Sequence, residues 1–323
     1  MPTSVIARLA RSTACFTGES HEPLLQRLQA APFGAAPIPE ATLEQACLER
    51  EVFSVVAWPK HIALHPWAGI QSVIPAPEHL SVVFEGDHVA SHAAVLLPRV
   101  VKYKEVRGVP GLRVDGWSAG ALNLRVLGSS AALSVKGISA SAWQEAVDLL
   151  GAAVEEADGE RRATRGALRA GGSAWLTSGV LRRLPLFTSI GMPVYFTSWP
   201  SNLGVEHERW CFDLDHRPRG TDCEHHAFLK ALSDGEFGLP LKPVHVACHV
   251  DKLGHGSCWI DLGSTDGRPG RLNLRFNRQD GKAMERWSRH FPAFTQARER
   301  LWGAADHEPL AAPHRAHDGL LSP

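Results

Sequence analysis

The chain lacks net charge, long apolar runs and the common catalytic signatures. Lys plus Arg and Asp plus Glu each total 34 in 323 residues, so no whole-molecule field draws it to nucleic acid or anionic lipid. Any nucleic-acid site must be a local patch. No apolar run approaches the ~18–20 residues that span a bilayer, which argues against a membrane partner. The opening MPTSVIARLARSTACF spreads its arginines instead of placing a basic end before an apolar stretch. A secretory leader is therefore not expected and a cytoplasmic location is. The six cysteines, at 15, 47, 211, 223, 248 and 258, include no CxxC pair, so most are expected to be thiols. There is no GxxxxGK[ST] phosphate loop, no GxSxG elbow and no GxGxxG after a strand, and each absence removes a standard way of building a site.

What is present is a globular composition, 44% hydrophobic and 21% charged, on a chain long enough to divide into two domains. The pattern predicts an α+β fold: an N-terminal helical hairpin followed by two β-rich regions, each ending in a ββα unit, with mostly antiparallel sheets. Residues 1–57 read as the helical segment. Val5, Ile6, Leu9 and Ala10, then Leu24, Leu25 and Leu28, recur at helical spacing around Gly18. Ser20 is placed to cap the second helix, with Pro23 in its first turn. A third helix is expected over residues 40–56. The first α+β domain covers 58–158, with short strands predicted at LSVVF, HAAVLL, ALNLRVL and AALSVKG. A helix follows, with Ser141 and Gln144 as its capping box and Trp143, Ala146 and Val147 on one face. A basic connector spans 159–185. The second domain, 186–303, has strands at PVYFTSW, RWCFDLD, PVHVACHV, CWIDLG and RLNLRF, a helix over 224–233, and a last helix capped by Asp280. A Pro- and His-rich tail, 304–323, is expected to be disordered. The order strand, GS turn, strand, helix occurs in both halves, which is the pattern a duplication would leave.

The segment RWCFDLDH carries the most chemistry. On a strand Trp210, Phe212 and Leu214 face one way, and Cys211, Asp213 and Asp215 the other. Two carboxylates about 7 Å apart on one face repel unless a cation lies between them, and hard divalent ions prefer carboxylate oxygens. Asp213 and Asp215 are thus candidate catalytic residues and ligands of Mg²⁺ or Mn²⁺. Arg209, Arg217, Arg219 and Lys252 are candidates for phosphate. A zinc alternative uses His225, His245 and His249. Trp117, Trp175, Trp199, Trp210 and Trp259 could stack bases beside arginines.

The succession FDLD, a helix containing AFLKAL, the strand VHVACHV and the turn LGHGSCWIDLG resembles the core of the archaeo-eukaryotic primase superfamily over about 55 residues. There an hDhD strand is followed by a helix and a strand entering a GxGxH motif. The resemblance implies that Asp213 and Asp215 ligate metal, with Asp261 as a later acidic ligand at a spacing closer than the family's, that Gly254 and Gly256 form the nucleotide-facing turn, and that the chain is a degenerate relative. The motif histidine falls on Cys258. FDLD also resembles the nucleophile motif of haloacid-dehalogenase-type phosphatases, with Arg217 where that family carries Thr or Val. LARSTACFTGES resembles the helices of ribbon-helix-helix antitoxins, but without room for their DNA-reading strand.

Two functional expectations follow. One is metal-dependent phosphoryl or nucleotidyl transfer, with nucleic acid or nucleotide as partner. The other is a non-catalytic nucleic-acid- or protein-binding role, with the N-terminal helices or the basic connector meeting a protein partner.

Overall fold

The computed structural model describes residues 3–57, 70–84, 89–101, 105–118, 120–149, 173–189, 194–195, 201–202, 208–215, 225–250 and 256–277. Helices α1 (Thr3–Thr17) and α2 (His21–Ala30) form the expected hairpin. Gly18 turns the chain between them at φ +70°, and a Cβ there would lie 2.3 Å from the carbonyl oxygen of Gln71. Only glycine meets both conditions. Arg27 clamps the hairpin by donating to Glu19 at 2.6 Å. Ser20 does sit at the N-cap, but its hydroxyl makes no cap bond; its backbone carbonyl instead accepts from the Leu24 amide at 3.2 Å.

Helix α3 (Leu43–Ala57) leads into the first sheet. Its strands are β1 (Ile70–Ala76), β2 (His79–Phe84), β5 (Leu112–Ser118), β6 (Ala121–Val126) and β7 (Ala132–Lys136), in the order β1-β2-β7-β6-β5. Between β2 and β5 lie α4 (Val89–Ala94) and a small hairpin of β3 (Arg99–Val101) and β4 (Glu105–Arg107); α5 (Ala140–Leu149) follows β7. HAAVLL, read above as a strand, enters α4 and then a turn. Ala90, Ala93 and Ala94 bury at helical spacing, and alanine's helix preference decides a run too short for periodicity to settle. The α5 cap is also one turn feature earlier than expected: Ser139 Oγ accepts from the Ala142 amide at 3.1 Å, in place of Ser141.

The chain then forms α6 (Ala174–Leu181) and α7 (Leu184–Ser189). From residue 173 on, the segment expected as basic connector is core, with Leu176, Val180 and Leu181 at 1% exposure or less. The connector up to 172, the Asp280 helix and the tail lie outside the described residues. The second sheet holds β8 (Val194–Tyr195), β10 (Glu208–Asp215), β11 (Leu241–Val250), β12 (Gly256–Ser264) and β13 (Arg271–Asn277), in the order β11-β12-β13-β10-β8. A short β9 (Ser201–Asn202) also pairs with β10, and α8 (His225–Leu232) connects β10 to β11.

Read from the other edge, the second sheet is β8-β10-β13-β12-β11 and matches the first strand for strand. In each, an antiparallel pair is followed by a helix and a three-stranded antiparallel meander whose last strand returns parallel to the second. The parallel junctions are β2 with β7, starting His79 opposite Ala132, and β10 with β13, starting Arg209 opposite Arg271. Each half opens on a helix whose first turn holds the loop before its parallel strand. In α3, Gln45 bonds the amide and carbonyl of Ala132 at 3.0 and 3.2 Å; in α6, Trp175 Nε1 donates to the carbonyl of Pro269 at 2.7 Å. The chain is thus a tandem repeat at the level of topology.

Helices α3 and α6 pack on each other and join the repeats. At their centre Glu49, fully buried, accepts from Arg182 Nη2 at 2.6 Å, Arg182 Nε at 2.9 Å and Ser178 Oγ at 2.6 Å. Arg182 also donates to the carbonyls of Pro39 at 2.6 Å and Ala76 at 2.8 Å. Below this network Phe53 of α3 meets Trp210 and Phe212 of β10 edge to face, at 5.2 and 5.6 Å between centroids.

Candidate functional site

The residues singled out from sequence fall on the second sheet, and its strand alternation sorts them. Trp210 and Phe212 are 2% and 0% exposed and pack with Ile260, Leu262, Leu272, Leu274 and Phe276 on the inner face. Trp210 is therefore a core residue and not a stacking platform. The opposite parity carries Arg209, Trp259, Asp261, Arg271, Asn273 and Arg275. In strand register Asp213 stands between Tyr195 and Arg275, and Asp215 stands beside Asn277.

Asp261 and Arg209, expected as metal ligand and phosphate contact, are engaged with each other. Arg209 Nη2 donates to Asp261 Oδ2 at 3.1 Å, Asn273 Nδ2 donates to Oδ1 at 2.7 Å, and Arg275 Nε donates to Asn273 Oδ1 at 3.0 Å. The first repeat explains this row. Its equivalent positions by register are His79, Asn123 and Ser134, where Ser134 Oγ donates to Asn123 Oδ1 at 2.7 Å. Both sheets stitch their meander with one polar cross-strand row, and in the second repeat the row is charged. Asp213 has no counterpart of its kind, since Val83 occupies its place in the first repeat.

Of the remaining candidates, Gly256 opens β12 opposite Val250, while Lys252, Gly254, Arg217 and Arg219 lie outside the described residues. His225 is the first residue of α8; His245 is exposed opposite Asp261, and His249 stands opposite Ser257. Among the described residues no three His, Cys, Asp or Glu side chains are grouped to hold a metal ion. Cys258 is fully buried and disulfide-bonded, with Cys248 opposite it in register. It therefore departs from the expected thiol state, and neither a motif histidine's proton nor its ligand lone pair is available there.

Trp259, one of the tryptophans read from sequence as able to stack bases beside arginines, stands on the surface around this row, whose Lys242 and Arg271 sequence reading did not single out. Trp259 is 49% exposed, and the Arg275 guanidinium lies 5.2 Å from its ring centroid. Lys242, His245 and Arg271 are exposed further along the same face, His245 opposite Asp261 and Lys242 and Arg271 both opposite Gly263. A bulge between Pro243 and His245 leaves Val244 43% exposed, with Cγ1 leaning over Gly263, 3.1 Å from where a Cβ would be. Pro243 was the available signal: a proline inside a strand marks a sheet edge or bulge, and β11 is the edge. Trp117 is also exposed, at 41%, while Trp175 lies under Arg268 at 4.2 Å; Trp199 lies outside the described residues. Comparison with family models, curated proteins and solved structures finds no match.

Proposed function

We propose that this chain is a non-catalytic binding protein that takes single-stranded nucleic acid on the outer face of its second sheet. The observation that carries the reading is Trp259, an exposed indole on a sheet face, backed by Arg275, with Arg271 and Lys242 exposed four residues along the same face, both opposite Gly263. A stacked base gains ~1–3 kcal/mol on such a ring, with little regard to sequence because every base has a π-face. Arginines along the same face meet the backbone, and a local patch suffices although the chain is neutral overall. The Arg209–Asp261–Asn273 row ties strands β10, β12 and β13 together on the same face.

The test is fluorescence anisotropy of a labelled oligo(dT) titrated with the full chain at low salt. Trp259→Ala should weaken binding by roughly 5- to 150-fold, the equivalent of ~1–3 kcal/mol. Arg271→Ala should lower the slope of log affinity against log salt by about 0.7, the value for one single-strand phosphate. Absence of binding, or affinity untouched by Trp259→Ala, overturns the reading. Binding that requires Mg²⁺ and is lost in the double variant Asp213→Asn, Asp215→Asn would instead support metal-dependent phosphoryl chemistry.

A further inference from the structure

A cleft of about 380 Å³ opens where α3 meets α6, at the junction of the repeats. Ligand sites favour such junctions, and the volume is in the range that holds small organic molecules. Leu43 and Ala46 of α3, Trp175 and Gly179 of α6, and Leu239 give the cleft apolar walls. Leu43 is 70% exposed, so a guest has apolar surface there to cover. Trp175 is a wall of fixed orientation. Its Nε1 donates to the Pro269 carbonyl at 2.7 Å, and the Arg268 guanidinium lies 4.2 Å from its ring centroid. The indole's one donor is spent inside the protein, and what Trp175 keeps for a guest is ring surface.

Arg182, Arg183 and Arg268 also line the cleft, and carboxylates answer them. Glu49 holds Arg182 at 2.6 Å, while Asp266 and Glu40 meet Arg268 at 2.8 and 3.5 Å. Glu40 lines the cleft too and acts on Arg183: burial, then Arg182, pull the Arg183 pKa down to about 10, and Glu40 pulls it up. Arg183 is thus a cation at neutral pH, and three positive groups face three negative ones. An ion entering the cleft would give up its hydration with no unanswered charge to meet it. We infer that the inter-repeat cleft binds a small uncharged aromatic molecule, its ring against Trp175, Leu43 and Ala46. An aliphatic guest would cover the same walls, but a ring adds the attraction of an aromatic pair with Trp175.

Isothermal titration of the full chain at neutral pH with phenol, indole, cyclohexanol, benzoate and benzylamine tests this. One saturable site is expected for phenol and for indole, tighter for indole because it buries more apolar surface. Cyclohexanol should bind ~2- to 12-fold more weakly than phenol, the loss of one aromatic pair. Benzoate and benzylamine, charged at that pH, should bind ~10-fold more weakly or worse. Trp175→Ala should erase the difference between phenol and cyclohexanol. Since Trp175 also ties α6 to the loop before β13, a second variant acts from the surface. The Glu40 side chain is 74% exposed, so Glu40→Gln should leave the melting temperature near the parent's. It removes one of the answering carboxylates, and should raise benzoate affinity relative to phenol by about 5-fold, the upper end for a screened ion pair. No saturable heat with phenol or indole, cyclohexanol or a charged ring matching phenol in the parent, or a benzoate-to-phenol ratio unmoved by Glu40→Gln overturns the proposal. Indole affinity should be the same in Trp259→Ala; a loss there would place the guest on the second sheet and overturn it too.

Discussion

At the scale of single residues, the most consequential side chains are charges the sequence presents as ordinary surface groups. Glu49 sits in LEREVF and Arg182 in VLRRLP, and neither segment announces a buried ion pair. Yet both side chains are within 1% of full burial and share two hydrogen bonds under 3 Å. The Coulomb gain of such a pair roughly offsets its desolvation, so its presence adds little net stability, but removing one partner strands the other. Arg182→Met should therefore cost about 3–5 kcal/mol, read as a lower denaturation midpoint at unchanged slope. Glu49→Leu combined with Arg182→Met should recover most of that loss, because two apolar groups then face each other. A single Arg182→Met change within ~1 kcal/mol of the parent would show that water reaches the pair.

At the scale of elements, legibility followed how local each determinant is. LSVVF, ALNLRV and RLNLRF alternate, and all three are strands; the helical hairpin and the helix near 225 were equally visible. Parallel pairing was not, because β2 and β7 are chosen for each other by the return of a meander some fifty residues on, which leaves no mark in either segment. The α3 first turn shows the same division. Its helical periodicity is local, but its function as an anchor is tertiary: Glu44 accepts from Ser129 Oγ at 2.6 Å and from the Ser130 amide at 3.2 Å, in the turn before β7. The Ser129 hydroxyl bond, then the Ser130 amide, hold the Glu44 carboxyl below its ordinary 4.5. A carboxyl depressed by folding contributes stability above its unfolded pKa and loses it as pH falls through the folded value. The gap in melting temperature between the parent and Glu44→Gln should thus be open near neutrality and close as pH drops below about 4.5. A gap that persists in acid would mean that the anchor does not depend on the carboxylate.

At the scale of the whole molecule, two topologically matched sheets raise the question of whether the chain behaves as one body or two. Duplicated units often unfold separately when little crosses between them. Here three things cross. Phe53 of the first repeat packs edge to face against Trp210 and Phe212 of the second. The Arg182 guanidinium bonds the carbonyls of Pro39 and Ala76 as well as Glu49. The N-terminal hairpin, which precedes the first repeat, reaches the second through Phe16 on Phe237 at 5.7 Å. A continuous buried cluster runs through residues of both sheets and includes Phe53 with Trp210 and Phe212, and Phe16 with Phe237. Neither repeat can lose its packing without exposing the inner face of the other, so partial unfolding would forfeit burial on both sides of the junction at ~25 cal/mol per Å² of apolar surface. Scanning calorimetry should accordingly give one transition with calorimetric and van't Hoff enthalpies in agreement. Phe53→Ala, which should cost ~3–5 kcal/mol as a large-to-small core change, should lower that single transition and not split it. Two resolved transitions in the parent would mean that each sheet carries its own core and that the α3–α6 junction is a docking contact between independent units.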